Sequence, residues 1–139
     1  MFVAVATNPR KSYAFTIDEW LKLLEKVIKE ETKDCSTKIV PIRIDGLLVD
    51  FAAKNNVNFL IWGLRSHQDF DEEIIMAVIN RKISNGLETV MLMANDTHIH
   101  ISSTNIWNLF WFGKMIDGFV PKSIENEVKE KLFPSSKVQ

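Results

Sequence analysis

Apolar and polar positions alternate between two periods along this chain, and the switches mark its elements. Residues 2–7 (Phe2, Val3, Ala4, Val5, Ala6, Thr7) form a continuous apolar run, as a buried parallel strand would show. A polar loop, Asn8-Pro9-Arg10-Lys11-Ser12, follows. Thr16 and Glu19 then make a T-x-x-E capping box, with Phe15 and Trp20 spaced as a hydrophobic staple. Behind that cap, Ile17, Trp20, Leu21, Leu24, Val27 and Ile28 recur at helical spacing and predict one inward face. Lys22, Glu25, Lys26, Lys29 and Glu30 predict the solvated one.

The next strand is expected over residues 38–44, and Pro41 inside it places it at a sheet edge, because proline lacks the N–H a central strand needs. A short helix over 47–55 should turn Leu47, Leu48, Phe51 and Ala52 inward. A short apolar run, 59–62, reads as a buried strand. Gly63 is expected to turn the chain into a polar loop holding Arg65, and a helix over about 69–82 should bury Phe70, Ile74, Ile75, Ala77 and Val78. A further strand spans 89–93, a polar loop 94–98, and a strongly aromatic helix carries Ile106, Trp107, Leu109, Phe110, Trp111 and Phe112. Those aromatics exceed what one helical face buries, which implies either a deep core or a subunit interface. A last amphipathic helix is expected at 123–132, with a frayed tail at 133–139. Strands alternating with helices predict one α/β domain over 1–139, built on a doubly wound parallel sheet.

Composition narrows the function classes. With 139 residues, 46% apolar and 25% charged, the chain has the profile of an ordinary globular domain. A formal net charge of −1 gives no global field for nucleic acid or an anionic membrane. No apolar run approaches membrane-spanning length. The lone Cys35 excludes an internal disulfide and suits a reducing cytoplasm. His98-x-His100 lacks further ligands of metal-site spacing, so no metal site is expected.

Chemistry concentrates where strands end. Arg65, just past the carboxyl end of a strand, is suited to a phosphate, although pairing with Asp69, Asp71, Glu72 or Glu73 is the plainer outcome. Ser102-Ser103-Thr104 open a helix, where hydroxyls cap free amides and anions are attracted. Simple capping is the plainer outcome there. Lys11, taken alone, is a solvated loop lysine, and Glu73 an acid well placed in an early helical turn.

Three ordered blocks change the weighting. Trp62-Gly63-Leu64-Arg65 followed by Asp69-Phe70 and an acid, Asn8-Pro9-Arg10-Lys11 followed by Phe15-Thr16, and Ile101-Ser102-Ser103-Thr104 together resemble pantetheine-phosphate adenylyltransferases, an HxGH nucleotidyltransferase family of coenzyme A biosynthesis. The resemblance implies ATP, with Mg2+, and 4′-phosphopantetheine as substrates, dephospho-coenzyme A as product, and a homo-oligomer, typically a hexamer. It implies Arg65, Glu73, His98, Ser102, Ser103 and Thr104 at the nucleotide, Lys11 at phosphate groups, and Leu47, Leu48 and Trp62 along the phosphopantetheine side. Lys11 and Arg65 would carry the catalytic electrostatics. A related cytidylyltransferase fits less well, because the GLR, DF and acid block is not its habit.

Two departures stand out. Trp62 occupies the position of a family arginine that helps bind phosphopantetheine, and a tryptophan cannot neutralise phosphate; Arg10 is the candidate to compensate. The family's catalytic histidine motif has no counterpart, since no Gly-His pair occurs. The chain opens at what would be the family's second strand, so its sheet is expected to lack the first, central strand of a unit of roughly 30 residues. A start at an internal methionine, a degenerate remnant, or direct closure of the strands at 2–7 and 59–62 would each account for this. A non-catalytic nucleotide-binding or oligomer-forming remnant is therefore the alternative function.

Overall fold

The computed structural model describes residues 1–6 and 13–132. The loop carrying Arg10 and Lys11, and the tail expected to fray at 133–139, lie outside the described residues. In chain order the elements are β1 (Phe2–Ala6), α1 (Ile17–Glu31), β2 (Val40–Ile44), α2 (Leu48–Lys54), β3 (Phe59–Leu64), α3 (His67–Ile83), β4 (Glu88–Met93), α4 (Ser103–Trp111), a single 3-10 turn (Lys122–Ile124) and α5 (Glu125–Leu132). This is the α/β alternation expected, with parallel strands throughout: β1 pairs with β2 and β3 with β4, as two two-stranded sheets. Among the described residues these are the two ladders that form.

The chain gathers into two compact units, Met1–Asp45 with Ser102–Gln139, and Gly46–Ile101. In the first, β1 and β2 pair from Phe2 opposite Val40 to Ala6 opposite Ile44, and Pro41 sits on a two-stranded ladder where an edge is always open. The capping box at α1 forms in full: the Glu19 amide donates to the Thr16 hydroxyl, and the Thr16 amide donates to the Glu19 carboxylate at 2.7 Å. The staple forms too, with the Phe15 and Trp20 rings 5.3 Å apart. The core of this unit joins Leu23 of α1 to Ile116, Ile124, Val128 and Leu132, with Phe15, Val27, Ile106, Leu109 and Phe110 packed around it. Ile124, Val128 and Leu132 recur every four residues, so one stripe through the 3-10 turn and α5 meets α1.

The deepest residue of α1 is Leu23, which lies outside the predicted face, while Trp20 is exposed. Its neighbours from α5 approach between the rows expected to point in and out. Lys26, expected in solvent, is half-buried and pairs with Glu127 of α5. α4 ends on Gly113, whose φ of 63° suits a residue without Cβ. The amide of Gly113 donates to the Phe110 carbonyl and that of Lys114 to the Leu109 carbonyl, the paired bonds of a Schellman end.

In the second unit, β3 and β4 pair from Phe59 opposite Glu88 to Leu64 opposite Met93. Gly63 does not turn the chain: it is an ordinary strand residue opposite Leu92, and β3 runs on to a buried Leu64. The turn falls later, at Ser66, whose hydroxyl caps α3 two residues before its expected start. Val49, Ala52 and Leu87 form the small core, with Val57 and Leu60 against it. Leu47 is exposed and Val49 takes the inward position.

Burial in this unit is shallower than the apolar pattern predicts. Phe59, Ile61 and Trp62 of β3 are exposed, as are Phe70, Ile74, Ile75 and Val78 of α3. The reason is geometric. A two-stranded sheet covers little of a helix, and the apolar residues from Ile74 to Ile79 run consecutively around α3 instead of forming one stripe. β1 likewise alternates exposed and half-buried positions rather than being buried throughout.

Candidate functional site

Arg65 follows the last residue of β3, and the site is built outward from its guanidinium. Asp69, in the first turn of α3, accepts from Arg65 Nε at 3.0 Å through Oδ2 and from Arg65 Nη2 at 3.1 Å through Oδ1. The same Oδ2 accepts the Arg65 backbone amide at 2.9 Å. Arg65 Nη1 donates to the Ile101 carbonyl at 3.0 Å. This is a bidentate ion pair of the strong kind. The guanidinium holds the Asp69 carboxyl below its usual range, first by their side-chain bonds and next by the Arg65 amide. Asp69 in turn pushes the guanidinium up. The plainer expectation for Arg65, pairing with a nearby acid, is therefore met, and the acid is Asp69.

That pairing leaves donors over. A guanidinium has five N–H groups. Among the described residues three are engaged, which leaves one on each terminal nitrogen. The pair sits at the carboxyl edge of the β3–β4 sheet, where open α/β sheets bind ligands. The loop after β4 emerges at the same edge, tied by the Ala94 amide to the Leu64 carbonyl at 2.8 Å. In that loop His98 is exposed, its amide donating to the Asn95 carbonyl and its Nδ1 lying 3.1 Å from the Thr97 hydroxyl.

Glu73 lies on α3, half-buried, its carboxyl raised above the usual range by burial first and then by the charges of Glu72 and Asp69. Trp62, on β3 opposite Met91, is 37% exposed. Leu47 precedes α2 and is exposed; Leu48 begins that helix, half-buried. Arg65, Glu73, His98, Leu47, Leu48 and Trp62 thus share the unit Gly46–Ile101. His67 is the first residue of α3, exposed and 3.1 Å from Asp71.

Ser102, Ser103 and Thr104 belong to the other unit. The Ser102 hydroxyl accepts the Asn105 amide at 3.1 Å, a regular N-cap, while Ser103 and Thr104 stand exposed in the first turn of α4. Capping, the plainer expectation, is what Ser102 does. Lys11 lies outside the described residues. Trp107, Trp111 and Phe112 are exposed, the last two at 80% and 75%, so most aromatics of this helix lie outside the core, while Phe110 packs inward with Ile106 and Leu109.

The part Asp69 plays goes beyond its reading as one of an acidic cluster. Its signal was present in the four-residue spacing from Arg65 across a Ser66 cap. A second feature had no sequence signal: a hollow of about 330 Å³ lined by Asp50, Asn56, Asn58, Ser84 and Asn85 among others, beside the opposite, amino ends of β3 and β4. Among the described residues no cluster of three or more histidine, cysteine or acidic side chains could hold a metal. Nor is any described helix long and apolar enough to cross a membrane.

A family model described as cytidylyltransferase-like matches residues 1–108. A phosphopantetheine adenylyltransferase of Symbiobacterium thermophilum is 39% identical over 129 residues, 93% of this chain and 76% of that protein. One of Clostridium novyi is 36% identical over 95% of this chain and 79% of its own length. One of Caldanaerobacter subterraneus is 37% identical, covering 97% and 81% respectively.

Proposed function

We propose that this chain, which belongs to the cytidylyltransferase-like family and within it to the phosphopantetheine adenylyltransferases, transfers the adenylyl group of ATP to 4′-phosphopantetheine. A phosphate oxygen of 4′-phosphopantetheine bonds to the α-phosphorus of ATP. The bond from that phosphorus to the oxygen bridging to the β-phosphate breaks. Dephospho-coenzyme A and pyrophosphate result. The observation that carries this is identity of 36–39% over 93–97% of the chain to proteins of that name.

Such a transfer depends on placing two anions in line and spreading charge away from the phosphorus. Arg65, with two donors over at the carboxyl edge of β3, is assigned to the triphosphate, together with Ser103 and Thr104 and the cap residue Ser102. Glu73 and His98 are assigned to the nucleotide. Lys11 is assigned to phosphate groups, and Leu47, Leu48 and Trp62 to the pantetheine side. Magnesium enters with ATP; the described residues offer no acidic cluster to hold it, so the triphosphate itself would supply its ligands. A cytoplasmic setting and a homo-oligomer, a hexamer by family likeness, complete the proposal. Exposed Cys35 suits the first, and exposed Trp107, Trp111 and Phe112 the second.

The alternative function is nucleotide binding or oligomer formation without catalysis. Calorimetric titration of the 139-residue chain with ATP and with dephospho-coenzyme A, in magnesium, followed by a pyrophosphate-release assay, separates the two. Binding of both ligands with pyrophosphate release supports transfer. ATP binding without release supports the non-catalytic function, and no heat with either ligand overturns the nucleotide site altogether.

A further inference from the structure

The geometry points to Asp69 as the positioning residue of the phosphate site: it fixes the Arg65 guanidinium so that one N–H of each terminal nitrogen is left for a phosphate. This deepens, and rests on, the assignment of Arg65 to the ATP triphosphate. The local chain explains how Asp69 comes to be there. Ser66 caps α3 by accepting the Asp69 amide at 3.2 Å. In a capping box the third helical residue would reach back to the amide of the cap itself. Here the third residue is an aspartate, and its Oδ2 reaches one residue further, to the amide of Arg65. One carboxylate therefore holds Arg65 at its backbone and again along its Nε and Nη2 edge. The Ile101 carbonyl adds the fourth contact, at Nη1.

Four anchors on one arginine, three of them from a single carboxylate, remove the freedom that a long side chain ordinarily keeps. The cost is charge. Asp69 cancels much of the positive field that would attract an anion to Arg65. Attraction and orientation thus make opposite demands of this residue, and that gives a test with a sign.

Asp69→Asn retains the shape and the backbone bond to Ser66, adds one unit of positive charge, and loses the bidentate carboxylate. If orientation governs, ATP titrated into Asp69→Asn binds about tenfold more weakly than to the unaltered chain, and Asp69→Glu recovers part of the loss. Arg65→Ala weakens binding comparably, and Asp69→Asn added to Arg65→Ala weakens it no further. Equal or tighter ATP binding by Asp69→Asn overturns the proposal. Thermal unfolding of each variant separates these effects from loss of fold. Should the unaltered chain bind no ATP, the adenylyl-transfer function fails, and the Nε–H resonance of Arg65 in 15N-labelled protein decides the positioning separately. Slow hydrogen exchange that is lost in Asp69→Asn sustains the clamp, and exchange unchanged by the substitution overturns it.

Discussion

Glu19 and Lys131 lie 112 positions apart in sequence and meet at 2.6 Å, joining the first turn of α1 to the last turn of α5. The Lys131 ammonium holds the Glu19 carboxyl below its ordinary value of 4.5, and the Thr16 amide adds to the effect. Glu127 is lowered in the same way, by Lys26 first. A carboxyl depressed in the folded state contributes stability that is fully present above its unfolded pKa. That contribution is lost as pH falls through the folded value. Stability to urea should therefore be level from pH 7 to about 5 with respect to these groups and fall as pH drops through the carboxylate range. Glu73, raised by burial, acts with the opposite sign, since protonation relieves it. Urea titrations from pH 7 to 3 check this, and Glu19→Gln should flatten the acid limb. An unchanged limb would mean that the pair contributes nothing in solution.

The core of the first unit makes a second, sharper demand. Ile116 has no exposed surface and packs with Leu23, Ile124, Val128 and Leu132. Ile116→Ala should cost about 2–5 kcal/mol, combining lost transfer energy with the cavity left behind. Ile75→Ala, on the exposed side of α3, should change stability by no more than about 0.5 kcal/mol. Denaturant unfolding of both variants measures the contrast. Similar losses at the two positions would mean that Ile75 is covered in solution.

Much of the local structure was legible in the sequence because its causes are local. The T-x-x-E box and the Phe15–Trp20 staple act within five residues, and both form. The parallel α/β alternation follows from the switching period. What failed were statements about which surfaces meet. Gly63 looks like a turn, but glycine is equally at ease in a strand, and Ser66 gives the true boundary. Leu23 was not distinguishable from Leu24 by periodicity, since the choice between them is made by where α5 arrives. The exposed apolar residues of α3 could not be foreseen from composition alone, because the same residues suit a buried helix. At the site, Arg65 stood out as a guanidinium past a strand end. That one carboxylate would hold it at both backbone and side chain depended on the register of the α3 cap.

The exposed aromatics of α4 bear on assembly. Trp111 and Phe112 lie at the carboxyl end of that helix, beside a Trp107–Phe110 pair with rings 5.3 Å apart. Large exposed apolar groups set close together mark association surfaces. Trp111→Ser should therefore shift the chain toward smaller species in light scattering coupled to gel filtration, while its circular dichroism stays unchanged. A Trp111→Ser protein with the same mass as the unaltered one would remove this helix from any subunit interface.

Ser102 gives the last test, because capping and phosphate binding can be separated there. Its hydroxyl accepts the Asn105 amide, so Ser102→Ala should cost about 1 kcal/mol of stability and Ser102→Gly only a few tenths. Glycine removes the hydroxyl while leaving the amino end of α4 nearly as stable. If the hydroxyl serves the helix alone, ATP affinity in Ser102→Gly should match that of the unaltered chain. If it also donates to phosphate, affinity should fall by about fivefold to tenfold, the equivalent of about 1–1.5 kcal/mol for one hydrogen bond. The Ser102 hydroxyl is only an acceptor in the cap, so its O–H remains to donate and the assignment to the triphosphate predicts the second outcome. The exposed hydroxyls of Ser103 and Thr104 carry no such commitment to the cap, so substituting them by alanine should reduce ATP affinity with little change in unfolding temperature.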